Sequence, residues 1–156
     1  MESLGKLLVE SAIILNYPAE DAADVVSALG EKLYEAGYVK ETFVEAALAR
    51  EKSMPTGLPL LGDTNAAIPH TDVEHVIKAG VALATLPQPV IFHNMAIPDE
   101  QVEVKLVFLL ALDQPKTQIT MLQEIVGVLQ DPDLIEKIMQ IEKPEDVLGY
   151  VSEATK

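Results

Sequence analysis

Two apolar periods alternate along this chain, and each change of period marks an element. "AIILN" at 12–16 is a short β-branched run closed by a polar residue, the pattern of a buried strand. Pro18 is placed to open a helix, and Val26, Leu29, Leu33 and Ala36 then recur at helical spacing until Gly37 ends the run. Phe43, Val44, Ala47 and Leu48 share one face of a second helix, with Arg50 in its last turn, where a cation suits the helix dipole. "SMPTGLPLLGDTN" at 53–65 has two prolines, two glycines and an Asp-Thr-Asn turn cluster, which predicts a long loop without regular structure. A loop of that length in a small domain is more often functional than idle.

"GVALATL" (80–86) and "PVIF" (89–92) predict two strands, the second confined by Pro89 to an edge or a start. "VKLVFLLAL" (104–112) is almost wholly apolar, so both its faces need cover and it belongs in the middle of a sheet. The last third reads as helical. Thr117 is the expected cap of a helix carrying Leu122, Ile125, Val126 and Leu129. Asp131-Pro132 restarts a helix as cap and first residue, and Pro144 opens one more, with Val147, Leu148 and Val151 on its apolar face. The succession of strand, two helices, further strands and helices predicts a single α/β domain over 1–156. Its mixed β-sheet of about five strands is sandwiched between helical layers.

Composition narrows the chemistry. With 49% hydrophobic but only 4% aromatic residues and no Trp, the core must be aliphatic. The absence of cysteine excludes disulfides, thiolate metal sites and a cysteine nucleophile. The N-terminus has no basic stretch leading into a long apolar one, and the longest apolar run, "LVFLLAL", is far short of the roughly 20 residues that cross a bilayer. A soluble, cytoplasmic protein with no membrane insertion is expected. A net charge of −14 would be repelled by nucleic acid and by anionic membranes, and would steer a partner with a basic docking face. Solubility alone accounts for the charge equally well. Of eleven basic residues ten are lysine, and Arg50 is the single arginine.

His70, His75 and His93 are the only histidines. A spacing of five puts His70 and His75 about 140° apart on a helix and on opposite faces of a strand, which argues against a shared metal. His75, flanked by charge in "TDVEHVIKAG", reads as solvated, and His93 as a surface residue at a strand end. His70 differs in context. In "NAAIPHT", Pro69 stiffens the backbone just before it and pushes Ile68 toward extended geometry, so His70 leaves a strand at a rigid corner. An ordinary loop histidine fits this context as well as a reactive one.

No G-x-S-x-G nucleophile turn and no G-x-x-x-x-G-K-[ST] phosphate loop occurs. Histidine as the nucleophile itself stays open, because a neutral imidazole accepts a phosphoryl group near neutral pH. An arginine can hold two phosphoryl oxygens at once, and Arg50 lies twenty residues upstream, at the helix end feeding the loop that delivers His70.

At this point four segments together resemble a known family. "AALAREKSMPTGL" (46–58), "NAAIPH" (65–70), "VKLVFLLAL" (104–112) and "TQITMLQEIVGVLQDPDLIEKI" (117–138) are similar, in order and spacing, to the enzyme IIA component of the phosphoenolpyruvate-dependent sugar phosphotransferase system, in its fructose/mannitol superfamily. "PTGL" and "LLGDTNAAIPH" look closest to the galactitol-type branch. The resemblance implies that His70 accepts a phosphoryl group from the phosphocarrier HPr and passes it to a cysteine of a cognate enzyme IIB, with no cofactor and no metal. It also implies that Arg50, followed by Glu51, stabilises the phosphoryl charge. Where many members carry a second active-site histidine, this chain has Gln118, which can donate a hydrogen bond to a phosphoryl oxygen but carries no charge. Backbone amides of the 62–71 loop are further expected oxygen ligands, and Asp63 and Asp72 are expected to point away from the site or to accept backbone hydrogen bonds. Two alternatives remain: a regulator of the same fold that signals by phosphorylation-dependent docking, and a small-molecule hydrolase, which would need an enclosed pocket around His70.

Overall fold

The computed structural model describes residues 4–154. The strands are β1 (Leu8–Ile14), β2 (Gly57–Leu58), β3 (Asn65–Ala67), β4 (Gly80–His93) and β5 (Gln101–Ala111). The helices are α1 (Leu4–Leu7), α2 (Ala22–Glu35), α3 (Phe43–Ser53), α4 (Pro115–Leu129), α5 (Pro132–Gln140) and α6 (Pro144–Ala154), with a 3-10 turn at Val73–His75. The five strands form one mixed sheet in the order β1-β4-β5-β3-β2. β4 and β5 make a long antiparallel hairpin, β1 lies parallel to β4, β3 parallel to β5, and β2 antiparallel to β3.

The near-continuous apolar run of β5 is buried on both sides, as its composition requires. Leu106, Phe108 and Leu110 pack with Met121, Ile125, Ile138, Val147 and Val151 of α4–α6. The alternate residues Val107, Leu109 and Ala111 pack with Val25, Leu29, Leu33, Phe43 and Ala47 of α2 and α3. This two-residue alternation makes β5 the wall between two aliphatic cores. Removing the fully buried Phe108 ring would cost about 3–5 kcal/mol.

Several local expectations are corrected. The first strand begins at Leu8, not residue 12, because exposed Glu10 and Ser11 sit in a register shift that interrupts its apolar pattern. Helix α2 starts at Ala22, capped by the Asp21 carboxylate, which accepts from the Asp24 N–H; Pro18 lies outside it. The two strands expected at 80–86 and 89–92 are one, β4. Pairing with β1 ends at Ala84, so Pro87 and Pro89 fall where the strand's outer side has no ladder to break. A register shift against β5 between Thr85 and Val90 absorbs them. The 53–65 loop contains β2 and leads into β3. Thr117 does not cap α4: Gln114 is the cap, and Pro115 opens the helix with its preset φ. Asp131 does cap α5, its carboxylate accepting from the Leu134 N–H at 3.2 Å, and Pro144 opens α6.

Gly57 is required by close approach. A Cβ on Gly57 would lie 2.6 Å from the His93 carbonyl oxygen, because β2 pairs on its outer side with the residue after β4.

Candidate functional site

Beyond β3 the chain stays beside β5 for one more step. Leu110 donates its N–H to the Pro69 carbonyl at 3.0 Å, and His70 pairs with Leu110 as an isolated bridge. Pro69 is buried, so the corner is stiff as well as anchored. The result is a partly exposed histidine held at the C-terminal end of the central strand.

The His70 ring folds back on its own backbone. Nδ1 lies 2.9 Å from the Ile68 carbonyl oxygen. A carbonyl only accepts, so Nδ1 carries the hydrogen and Nε2 is left with its lone pair. Burial, above all, holds the ring below its ordinary pKa; the Ile68 hydrogen bond works against this, the Arg50 charge adds to it, and Asp72 opposes. The imidazole is therefore neutral at neutral pH, with Nε2 available.

The last turn of α3 brings Arg50 to the same place. Its Nη1 donates to Asp72 Oδ1 at 3.4 Å, the long limit of a hydrogen bond, and the pair is partly solvated. Arg50 Nε–H is buried and has no acceptor among the described residues. An unpaired buried guanidinium donor costs stability unless some other group uses it. Asp72 was expected to point away or bond backbone; instead its carboxylate faces Arg50, because the Pro69 corner turns residues 70–72 toward the end of α3.

Glu51, next on α3, has its carboxylate in the protein. Oε2 accepts the Thr56 N–H at 2.8 Å and Oε1 accepts the Thr56 hydroxyl at 2.7 Å. Burial raises its pKa, and the two Thr56 hydrogen bonds and the nearby His93 pull the other way. The Thr56 carbonyl in turn accepts the Ile68 N–H at 3.3 Å. This link between α3 and the His70 corner was not legible in the sequence; the adjacency of "ARE" to "PTG" was its only trace.

Gln118 sits in the first turn of α4, which begins at Pro115, just beyond the end of β5. It is partly exposed, and its side chain makes no hydrogen bond among the described residues. Gly62, Asp63 and Thr64 lie against Pro132, Ile135 and Glu136 at the start of α5, and the Ile68 N–H is committed to Thr56.

The other histidines lie apart. His75 is not simply solvated: it is partly buried, with Nδ1 2.8 Å from the Thr42 hydroxyl. His93 is exposed at the end of β4, with Nδ1 2.8 Å from the Pro98 carbonyl. It lines a groove of about 650 Å³ together with Glu51, Lys52, Ile91 and Asp99; His70 and Arg50 are not part of that lining.

Residues 6–154 match the sequence family described as phosphoenolpyruvate-dependent sugar phosphotransferase system, EIIA 2. The chain is 31% identical over 121 residues to the galactitol-specific EIIA component of Escherichia coli K12, covering 78% of this chain and 79% of that one. It superposes on the crystal structure of the mannitol IIA of Escherichia coli with a TM-score of 0.74, at 29% identity, over 92% of this chain and 98% of that one. The structure of the Escherichia coli complex of IIA mannitol with phosphorylated IIB mannitol gives a TM-score of 0.74 at 28% identity, over 94% of this chain and 97% of that one.

Proposed function

Since the chain belongs to the type 2 enzyme IIA family of the phosphoenolpyruvate-dependent sugar phosphotransferase system, we propose that His70 Nε2 is the atom that carries the phosphoryl group in transit. As a member of that family the protein is a phosphotransferase that works through a phosphohistidine. The reading places it in the cytoplasm, as a single domain, with phospho-HPr as donor and the cysteine of a cognate enzyme IIB as acceptor. The observation that carries the site assignment is a histidine with Nδ1–H tied to the Ile68 carbonyl at the same corner as the charge of Arg50.

The Nε2 lone pair attacks phosphorus, a P–N bond forms, and the bond to the donor breaks with its electron pair leaving on the donor atom. The ring then gains positive character, and the Nδ1–H bond to the Ile68 carbonyl becomes charge-assisted and stronger. Onward transfer reverses this: the IIB thiolate attacks phosphorus and the P–N electron pair returns to Nε2. Charge in such a transfer spreads over peripheral oxygens, so stabilisation is mostly electrostatic. The Arg50 guanidinium, whose charge acts on His70 and whose Nη1 is only weakly held by Asp72, is the donor at this corner, and Asp72 keeps it in place between transfers. Gln118 adds a neutral donor from the start of α4. No step needs a metal.

A hydrolase would draw its substrate into a cavity, and the 650 Å³ groove is lined away from His70. A partly exposed ring at a strand end suits delivery by a macromolecule instead. Galactitol or a related sugar alcohol is the proposed cargo, supported by the galactitol-type relative.

Incubation with radiolabelled phospho-HPr tests the reading. The parent takes up acid-labile, base-stable label and His70→Ala takes up none; label surviving on the variant overturns the assignment. Chasing with galactitol-type and mannitol-type IIB domains tests the cargo, the galactitol type being expected to drain the label faster. Transfer to no IIB domain would favour the regulator.

A further inference from the structure

We infer that Glu51 is a positioning residue for His70, tying the helix end that carries Arg50 to the strand corner that carries the imidazole. This rests on the reading of His70 as the phosphorylated residue. Four hydrogen bonds make the connection. The Glu51 carboxylate takes both the N–H and the hydroxyl of Thr56, at 2.8 and 2.7 Å. The Thr56 carbonyl takes the Ile68 N–H at 3.3 Å, and the Ile68 carbonyl takes His70 Nδ1–H at 2.9 Å.

Every polar group of Thr56, which is only 2% exposed, is used in this chain. Its N–H and hydroxyl fix it to α3, and its carbonyl fixes the peptide that sets the tautomer of His70. Glu51 forms no ion pair among the described residues, and a carboxylate buried without a cation is costly unless hydrogen bonds compensate. Stability alone would be served as well by an apolar side chain packed at that place. What an apolar side chain cannot do is hold the Thr56 amide and hydroxyl in one geometry. Because Arg50 and Glu51 are consecutive, one helix end then sets both the guanidinium and, through Thr56 and Ile68, the ring it serves. The expected consequence of losing Glu51 is a His70 that samples both neutral tautomers. In the wrong one Nε2 carries the hydrogen and cannot attack.

The test uses the full chain with Glu51→Ala, Glu51→Gln, Thr56→Val and Thr56→Ser. Nitrogen-15 imidazole spectra of the unphosphorylated protein report the His70 tautomer, and single-turnover labelling by phospho-HPr reports the limiting rate and the half-saturating donor concentration. Glu51→Ala is expected to show mixed tautomers and a limiting rate at least tenfold lower, with half-saturation within twofold of the parent. Glu51→Gln, whose amide can accept from Thr56 N–H and donate to Oγ1, and Thr56→Ser are expected to restore the single Nδ1–H tautomer. A cooperative melt identifies variants that fold. If Glu51→Ala does not fold, Thr56→Val decides: mixed tautomers support the role, and a single Nδ1–H tautomer overturns it. A folded Glu51→Ala with a single tautomer and a rate within twofold of the parent overturns it too. If the parent itself takes no label, the phosphocarrier reading fails, while the tautomer spectra still judge Glu51.

Discussion

His70 and His93 make the same hydrogen bond and live in different electrostatic company. His70 lies just beyond a strand and His93 ends one, each has Nδ1 within 3 Å of a carbonyl (Ile68 at 2.9 Å, Pro98 at 2.8 Å), and each therefore keeps its Nε2 lone pair free. His70 is partly buried between Arg50 and Asp72, whereas His93 is exposed and has a carboxylate, Glu51, as its charged neighbour. Tautomer control is thus common to both corners, and the guanidinium is particular to one. A carboxylate beside an imidazole repels an incoming phosphoryl group, and a guanidinium attracts it. The two residues responsible, Arg50 and Glu51, are neighbours in sequence at the end of α3.

The sharpest break is His70→Ala, which removes the proposed nucleophile and is expected to abolish labelling by phospho-HPr in a gel or filter assay. Next, Arg50→Ala makes the His70 corner resemble that of His93 in having no guanidinium. The chain should fold, since the residue ends a helix, and labelling should slow by about 10²-fold, the usual cost of losing one preorganised donor to a developing anion. A rate within threefold of the parent would remove Arg50 from the mechanism.

Acid sharpens the comparison further. The folded pKa of His70 lies below its ordinary value of about 6.5, chiefly through burial. The ring therefore stays neutral as pH falls through 6.5, and the uptake rate should decline, roughly tenfold per unit, only below the folded pKa. The unfolded chain takes up its proton first, so His70 subtracts stability as pH falls from about 6.5 toward that folded value and subtracts none well above 6.5. A rate profile with its midpoint at or above 6.5 would contradict the burial of the ring. Gln118→Ala tests a neutral donor and is expected to slow labelling less than tenfold. Gln118→His should speed it or leave it unchanged, and a marked loss would place Gln118 elsewhere than beside the phosphoryl group. Smallest of all, His93→Ala should leave labelling by phospho-HPr within twofold of the parent; a larger loss would mean that its free Nε2 takes part.

Much of this was legible before any coordinates. Apolar runs locate β5 and the α3, α5 and α6 helices because burial of one face imposes its period on the residues themselves. The corner at Pro69 is legible because proline restricts its own φ and its neighbour's ψ, whatever surrounds them. Elements whose cause lies elsewhere in the chain were not legible. β4 reads as two strands because the reason its prolines are tolerated, the end of β1 pairing at Ala84, is a fact about another strand. Pro18 and Thr117 look like helix starts, yet Asp21 and Gln114–Pro115 hold those positions. Several residues near a terminus can satisfy its orphan N–H groups, and packing chooses among them.

At the site the division is the same. Residue types and their order single out His70 and Arg50, because nucleophilicity and permanent charge are properties of side chains that no fold can supply. Only the tertiary structure decides that Asp72 turns toward Arg50, that Arg50 Nε has no acceptor, and that Glu51 reaches Ile68 through Thr56. It also decides which imidazole nitrogen is free. Each of these depends on how α3, the Pro69 corner and the sheet are packed together, and hydrogen bonds over 2.7–3.4 Å depend on distances that composition and spacing do not encode.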